Sequence, residues 1–450
     1  MRRYREILMI AMGMLVASSM NTYGAEAAKA AAPDAAVITA TAENVDSLPE
    51  YSSNVAVPSR ALVLYGGQNG MHEQVYTVLY DSNEEVTFQD PVPPRFLLID
   101  REGRTVFGIG GYVEGVAAYD FDGAIDDAGF KVNQISVPTN PAFRNQLSAT
   151  VDHSNIFMML VSKTKYGLLS VYAQAAFSNS NRNFTMKHAV VRLHNVLAGL
   201  TRTTFLDPLA SVPTIDYTGP VGAVQQRNVQ LRYMWHSDDH FAFAAAAEMP
   251  CATYTVNKSC EEMKQRVPDF PFYAQYRWDG GKSHVRVSGL IRTLSYRDLV
   301  SGENRFRSGW AAKLSGAIKI TDLASFYYST IYGRGYGQYV HGTTNCGFDL
   351  IYGADGTMIA PHQFDLTLGL RVNISPKVFA SGTYSLDRLY NQGHLGPNTY
   401  RRGTYTSVNV FYTPMADLQF GLEYLHGTRT NVDRVAGAAN RIQAMLRYDF

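Results

Sequence analysis

The chain is poor in cysteine and lacks any long apolar run beyond its N-terminus. Cys251, Cys260 and Cys346 are its three cysteines among 450 residues. No C-x-x-C pair or Cys/His spacing occurs, so no metal site is expected. An oxidising compartment would permit a Cys251–Cys260 loop staple, and two free thiols fit the spacing as well. No apolar stretch approaches the roughly 18 residues of a helical membrane span, which argues against a helical membrane protein. A G-x-S-x-G nucleophile elbow is absent. The glycines of Gly108-Ile109-Gly110-Gly111 fall inside a strand pattern with no helix following, which suits sheet packing better than a nucleotide loop. Net charge is small as well: 40 basic residues face 39 acidic ones.

What the chain does contain points to a secreted all-β protein. Arg2, Arg3 and Arg5 precede an apolar segment from Ile7 to Val16, and Ala25-Glu26-Ala27 forms an A-x-A-like cleavage site. Residues 1–27 therefore read as a signal peptide, with a permanent signal anchor as the alternative. Residues 28–104 form an acidic linker or extension: 5 basic against 11 acidic side chains, net −6. Its first part, to about Pro58, is Ala-, Pro- and acid-rich and has no period. The remainder, 105–450, carries 32 basic and 26 acidic residues, net +6.

From Thr105 onward short segments alternate apolar and polar with a period of two. In Asn440 to Phe450, Ile442, Ala444, Leu446, Tyr448 and Phe450 share one face, and Arg441, Gln443, Arg447 and Asp449 the other, with Met445 the apolar interruption. One face suits lipid and the other water, as a membrane-spanning strand requires. A final aromatic residue fits the signal read by the barrel-insertion machinery. Sixteen such strands are expected, at about 105–120, 152–164, 167–177, 184–193, 196–201, 227–235, 240–248, 270–278, 283–293, 306–317, 323–334, 362–372, 376–387, 403–413, 416–426 and 440–450. Connections alternate in length. Short ones such as 194–195, 279–282 and 414–415 are interleaved with long ones at 121–151, 202–226, 249–269, 294–305, 335–361, 388–402 and 427–439. Short periplasmic turns and long outer loops are the asymmetry of a transmembrane antiparallel β-barrel in a Gram-negative outer membrane. The N-terminal segment would then be periplasmic. Tyr233, Trp235, Trp278, Trp310, Tyr412, Tyr424 and Tyr448 fall near strand ends on the apolar face, where interfacial girdles form.

If the apolar faces meet lipid, parity turns Lys187, Arg232, Arg277, Arg286, Arg292, Arg307, Lys313, Arg371, Arg441 and Arg447 into the lumen, against Glu114, Asp365, Glu423 and Asp449. Such an excess enriches anions near low-dielectric walls. Pairing of the arginines with acidic loops is the alternative. The connection from Arg202 to Gln226 is stiffened by prolines and aromatic residues, and either folds inward to narrow the pore or stays exposed.

Within Lys187 to Tyr233 a specific resemblance appears. It is carried by Lys187-His188-Ala189, Leu197-Ala198-Gly199, Thr204-Phe205-Leu206-Asp207, Pro213, Asp216, Gly219-Pro220, Gly222, Arg227, Gln230, Arg232 and Tyr233. Asn440-Arg441-Ile442-Gln443-Ala444 adds to it. The segment resembles the DcaP-like trimeric outer-membrane porins. That resemblance implies a sixteen-stranded homotrimer with an inward-folded third loop and a preference for dicarboxylate-like anions. It further implies constriction contacts at Lys187, Arg202, Asp207, Asp216, Arg227 and Arg232. Arg202 stands where an aromatic residue is expected, and the N-terminal segment lacks coiled-coil heptads.

The expected function is passive diffusion of small anionic solutes, without chemistry, cofactor or nucleic-acid partner. Lipid and lipopolysaccharide would surround the barrel. Alternatives are a barrel enzyme of the phospholipase or protease type, or a surface adhesin.

Overall fold

Side chains alternate across a pleated strand, and the strand His362–Ser375 shows what that does here. Gln363, Asp365, Thr367 and Arg371 are buried, while Leu370 and Val372 are exposed. That inside-out pattern, with polar groups in and apolar groups out, repeats around the molecule. The computed structural model describes residues 36–38, 86–94, 96–99, 105–123, 125, 129–178, 183–237, 240–353, 355–390, 392 and 394–450. The proposed signal peptide and most of the acidic segment lie outside the described residues.

Sixteen antiparallel strands form the wall: β1 (Thr105–Asp122), β2 (Asn155–Thr164), β3 (Gly167–Ser178), β4 (Asn183–Leu193), β5 (Val196–Arg202), β6 (Arg227–Ser237), β7 (Phe241–Glu248), β8 (Phe270–Trp278), β9 (Ser283–Asp298), β10 (Glu303–Lys319), β11 (Ala324–Arg334), β12 (His362–Ser375), β13 (Val378–Leu389), β14 (Tyr400–Met415), β15 (Leu418–Asn431) and β16 (Ala436–Asp449). Each pairs with its neighbours in sequence, and β16 pairs with β1 in a register that runs through Arg441↔Asp120 and Asp449↔Tyr112. Phe450 seals the seam, donating from its N–H to the Gly111 carbonyl (2.9 Å) and accepting from the Gly111 N–H (3.1 Å). Closure satisfies every strand edge, which is what permits a sheet to stand in lipid. All sixteen expected strands are present, with ends shifted by a few residues. No helix among the described residues is long and apolar enough to cross a membrane.

Two of the expected long connections are short in the structure. Residues 294–305 and 427–439 are mostly strand, leaving only 299–302 and 432–435 as links. Above the lipid the outward face no longer needs to be apolar, so alternation fades while backbone pairing continues. Of the aromatic residues assigned to the girdles, Tyr233, Trp235, Trp310, Tyr412, Tyr424 and Tyr448 are exposed on the outer wall.

The Cys251–Cys260 staple is not formed: all three cysteines are free thiols. The two belong to different packing units. Cys260 pairs across to Asp298 at the top of β9 and sits among Leu294 and Tyr296, whereas the Cys251 carbonyl accepts from Arg292 (2.6 Å).

Candidate functional site

The lumen is narrowed by the connection between β5 and β6, residues 203–226, which runs along the inner wall. Its prolines prevent a regular helix or strand and leave one short 3-10 turn, Pro208–Ala210. Polar anchors along its length hold it. The Asp207 carboxylate, fully buried, accepts from Ser315 Oγ (2.7 Å), faces His284 Nε2 (3.0 Å) and lies 3.7 Å from Arg286. Burial alone would push this carboxyl up, but Arg286, His284 and Lys313 together hold it well below the usual carboxylate range. The Pro213 carbonyl accepts from Ser381 Oγ (2.7 Å) and Asn409 Nδ2 (3.0 Å). Asp216 donates its N–H to Glu423 (2.8 Å), while its carboxylate accepts from the backbone N–H groups of Phe130, Thr218 and Gly219. Burial pushes the Asp216 carboxyl up despite those donors. The Gly222 N–H donates to Ser385 Oγ (2.9 Å). Two wall glycines make room: a Cβ on Gly369 would stand 2.2 Å from Val212, and one on Gly421 would stand 2.7 Å from Ile215.

The basic residues assigned to the lumen divide into two groups. Most are absorbed by the wall and its loops. Arg292 pairs with Asp269 (3.0 Å) and Asp349 (2.7 Å), Arg441 with Asp120 (2.9 Å), and Arg447 with Asp449 (2.7 Å). Arg286 donates to Gln275 (2.6 Å) and the Leu206 carbonyl (2.9 Å), and Lys313 donates to the Phe205 carbonyl (3.0 Å). Arg232 donates to Gln230 (3.0 Å) and the Arg202 carbonyl (2.5 Å). Arg371 lies over the Phe379 ring at 4.3 Å, and Arg277 is half-buried next to the 279–282 turn. Arg307 is exposed on the outer part of β10, donating to the Met358 carbonyl (2.7 Å). Removing one member of such buried pairs would leave the other stranded in a poor solvent. These groups therefore first specify the interior packing.

The second group is Lys187, Arg202 and Arg227, on β4, β5 and β6, beside the narrowing loop. Lys187 Nζ lies 5.1 Å from the Tyr217 ring, which stacks on His153 at 4.5 Å. Arg227 is half-buried, and its Nε has no hydrogen-bond partner. His341, from the connection above β11, is held neutral: burial first, then Arg227 and Lys131, push it down to about 3. Nearby acids are already engaged, Glu114 with His153 (2.9 Å) and Asp216 as described.

Sequence reasoning missed a further component. Residues 86–94 lie inside the barrel, entered from Phe96–Ile99, a short strand paired with the start of β1. Asp90 takes both Arg202 Nη1 (2.6 Å) and Nη2 (2.8 Å). Phe88 sits edge-on to Phe379 (5.7 Å) and Phe411 (4.8 Å). It joins an inner apolar cluster of Val116, Ile215, Phe379, Phe411 and Met445. That cluster explains why Met445 breaks the alternation of β16: it faces loop and strap, not water. Lys131 and His341 were missed too, since nothing local marks a loop residue that folds back into a lumen.

Among the described residues no group of three or more His, Cys, Asp or Glu is placed to hold a metal ion. No curated protein matches the chain at the level of sequence. Among solved structures it is similar to the outer membrane channel DcaP of Acinetobacter baumannii, at 19% identity and a TM-score of 0.68, covering 77% of this chain and 98% of that one. The anion-selective porin from Comamonas acidovorans is similar at 9% identity and a TM-score of 0.51, covering 77% and 100%. Both likenesses concern the porin fold. The family described as DcaP outer membrane protein matches residues 102–450, and with that span the chain belongs to this family of outer-membrane β-barrel porins.

Proposed function

We propose that this porin is a passive channel favouring small anionic solutes of dicarboxylate type. The observation that carries the proposal is the placement of Lys187, Arg202 and Arg227 on three consecutive strands beside the inward-folded loop, where Arg202 already holds the Asp90 carboxylate in its fork. Guanidinium groups stay protonated at any physiological pH, and Arg presents a fork matched to a carboxylate. Cations on adjacent strands suit a solute with two carboxylates. The porin from Comamonas acidovorans, which shares the fold, is described as anion-selective. Family membership supports a homotrimer built on barrel contacts, and native mass spectrometry of the detergent-solubilised protein tests that.

Proteoliposome swelling tests the solute preference. Vesicles carrying the protein are expected to admit succinate faster than a neutral sugar or a cationic amino acid of similar size. Equal rates, or faster entry of the cation, would refute the proposal.

A further inference from the structure

Residues 86–94 are not required to build the barrel. The sheet closes through β16 and β1, and Phe96–Ile99 pairs with the start of β1 on one side and with Ala36–Ile38 on the other. Yet this short strap runs through the lumen and makes specific contacts there. Tyr112 OH donates to the Gln89 carbonyl, Arg447 Nη2 to the Asp90 carbonyl and Gln89 Nε2 to the Asp216 carbonyl, each at 2.8 Å. Pro94 lies against Gly108 and Gly110 on the wall. Thr87 and Asp90 close a tight turn, with Thr87 N–H donating to Asp90 Oδ2 (2.7 Å) and Arg202 Nη2 reaching Thr87 Oγ1 (3.3 Å).

The central contact is a carboxylate held by both arms of a guanidinium. That is the geometry a solute carboxylate would adopt at Arg202. Unlike Asp207, which is sealed at 0% exposure, the Arg202 and Asp90 side chains keep 10% and 11%. The pair therefore touches the lumen.

We infer that residues 86–94 are a built-in ligand of this channel: Asp90 occupies at Arg202 the place of a solute carboxylate, and anionic solutes widen the path by competing it away. The inference rests on the anion-channel function proposed above. A tethered group on a short linker acts at an effective concentration of roughly millimolar. Millimolar dicarboxylate is therefore the range in which exchange is expected. Nothing in the strand pairing has to break for the strap to leave; its ties are the Arg202 fork, isolated hydrogen bonds and the Phe88 ring contacts.

Two measurements on the full chain test this. In planar bilayers, Asp90→Asn and Phe88→Ala are each expected to raise single-channel conductance by about two-fold or more. Heat-modifiable gel migration establishes that each variant is folded. Separately, Gln89→Cys in a background with Cys251, Cys260 and Cys346 changed to serine reports strap exposure through its labelling by a membrane-impermeant thiol reagent. Millimolar succinate is expected to accelerate labelling about ten-fold, while chloride of equal ionic strength does not. With Arg202→Gln added, labelling is expected to be fast without succinate. Unchanged conductance in both strap variants, or labelling indifferent to succinate, would overturn the inference. Failure of the underlying function looks different: a wild-type channel whose reversal potential is cation-selective would remove the anion proposal, whatever the strap variants do.

Discussion

Neutralising Asp207 probes the link between loop anchoring and ion selectivity. The Asp207→Asn variant keeps the shape of the side chain and one oxygen for Ser315 and His284, but removes the carboxylate that Arg286, His284 and Lys313 share. Breaking a buried ion pair typically costs about 3–5 kcal/mol. With the amide still bonded and the other anchors of the loop in place, a loss near the lower end, about 3 kcal/mol, is expected. The loop should therefore stay in place at room temperature while the barrel unfolds at a lower temperature. At mildly acidic pH, where Lys313 as well as Arg286 keeps its proton, the lumen gains one positive charge. At about 10 Å from the ion path in a water-like medium, that charge is worth about 0.4 kcal/mol per monovalent ion. It favours anions about two-fold and disfavours cations equally, so the permeability ratio should rise about four-fold at low salt, and less at 1 M where screening is strong. Reversal potentials in a ten-fold KCl gradient, measured at low and high ionic strength, read this directly. A folded variant with an unchanged ratio at low salt, or one moved toward cations, would refute the reasoning.

Other perturbations follow from the same geometry. Arg441→Ala strands Asp120 beside the β1–β16 seam, so the transition seen by heat-modifiable migration should fall sharply, by the equivalent of about 3–5 kcal/mol, whereas Arg305→Ala, from a pair with one exposed partner, should change it little. Gly369→Val puts a branched side chain where Val212 already stands, pushing the loop from the wall; lower single-channel conductance or a less stable barrel is expected, and a variant with wild-type values of both would contradict the close approach. Asp90 sets a pH dependence. Burial raises its pKa, but Arg202, with smaller help from His188, lowers it below the ordinary value of 3.8. A depressed carboxyl keeps its stabilising pair above the unfolded pKa and loses it as pH falls through the folded one. Arg227, Arg447, Tyr112 and Tyr172 also face it, and none of them discharges in acid. Conductance limited by the strap should therefore hold steady from pH 8 to about 4 and rise below that; a midpoint near neutrality would exclude Asp90 as the controlling group.

The wall was legible in the sequence because the membrane imposes a rule at every residue. In β12, Leu370 and Val372 must meet lipid, and Gln363 and Arg371 must not, so a period of two survives with no knowledge of the partner strand. Where the rule lapses, legibility lapses with it. Thr428–Asn431 still pairs with β14 and β16, but its outward side chains stand in water and need not be apolar, so the strand looked like a loop. Direction was also readable for the lumenal cations, since parity alone turns Arg292 and Arg441 inward. Their partners were not. Asp349 and Asp269 lie 57 and 23 residues from Arg292, and Asp120 lies 321 residues from Arg441; only the closed barrel brings them together. The strap was hidden for the same reason. Val86 to Pro94 has no period and a proline-rich end, which suits a linker, and its meaning comes from Arg202, Phe379 and Phe411 across the chain.

The most direct measurement of the central claim is the zero-current potential of the wild-type channel in a KCl gradient, compared with a Lys187→Glu/Arg227→Glu double variant. The wild type should show the sign for chloride preference, and the double variant should move to zero or past it. A potassium-preferring wild type, or a chloride preference untouched by reversing both charges, would contradict a lumen whose selectivity is set by these cations beside the folded loop.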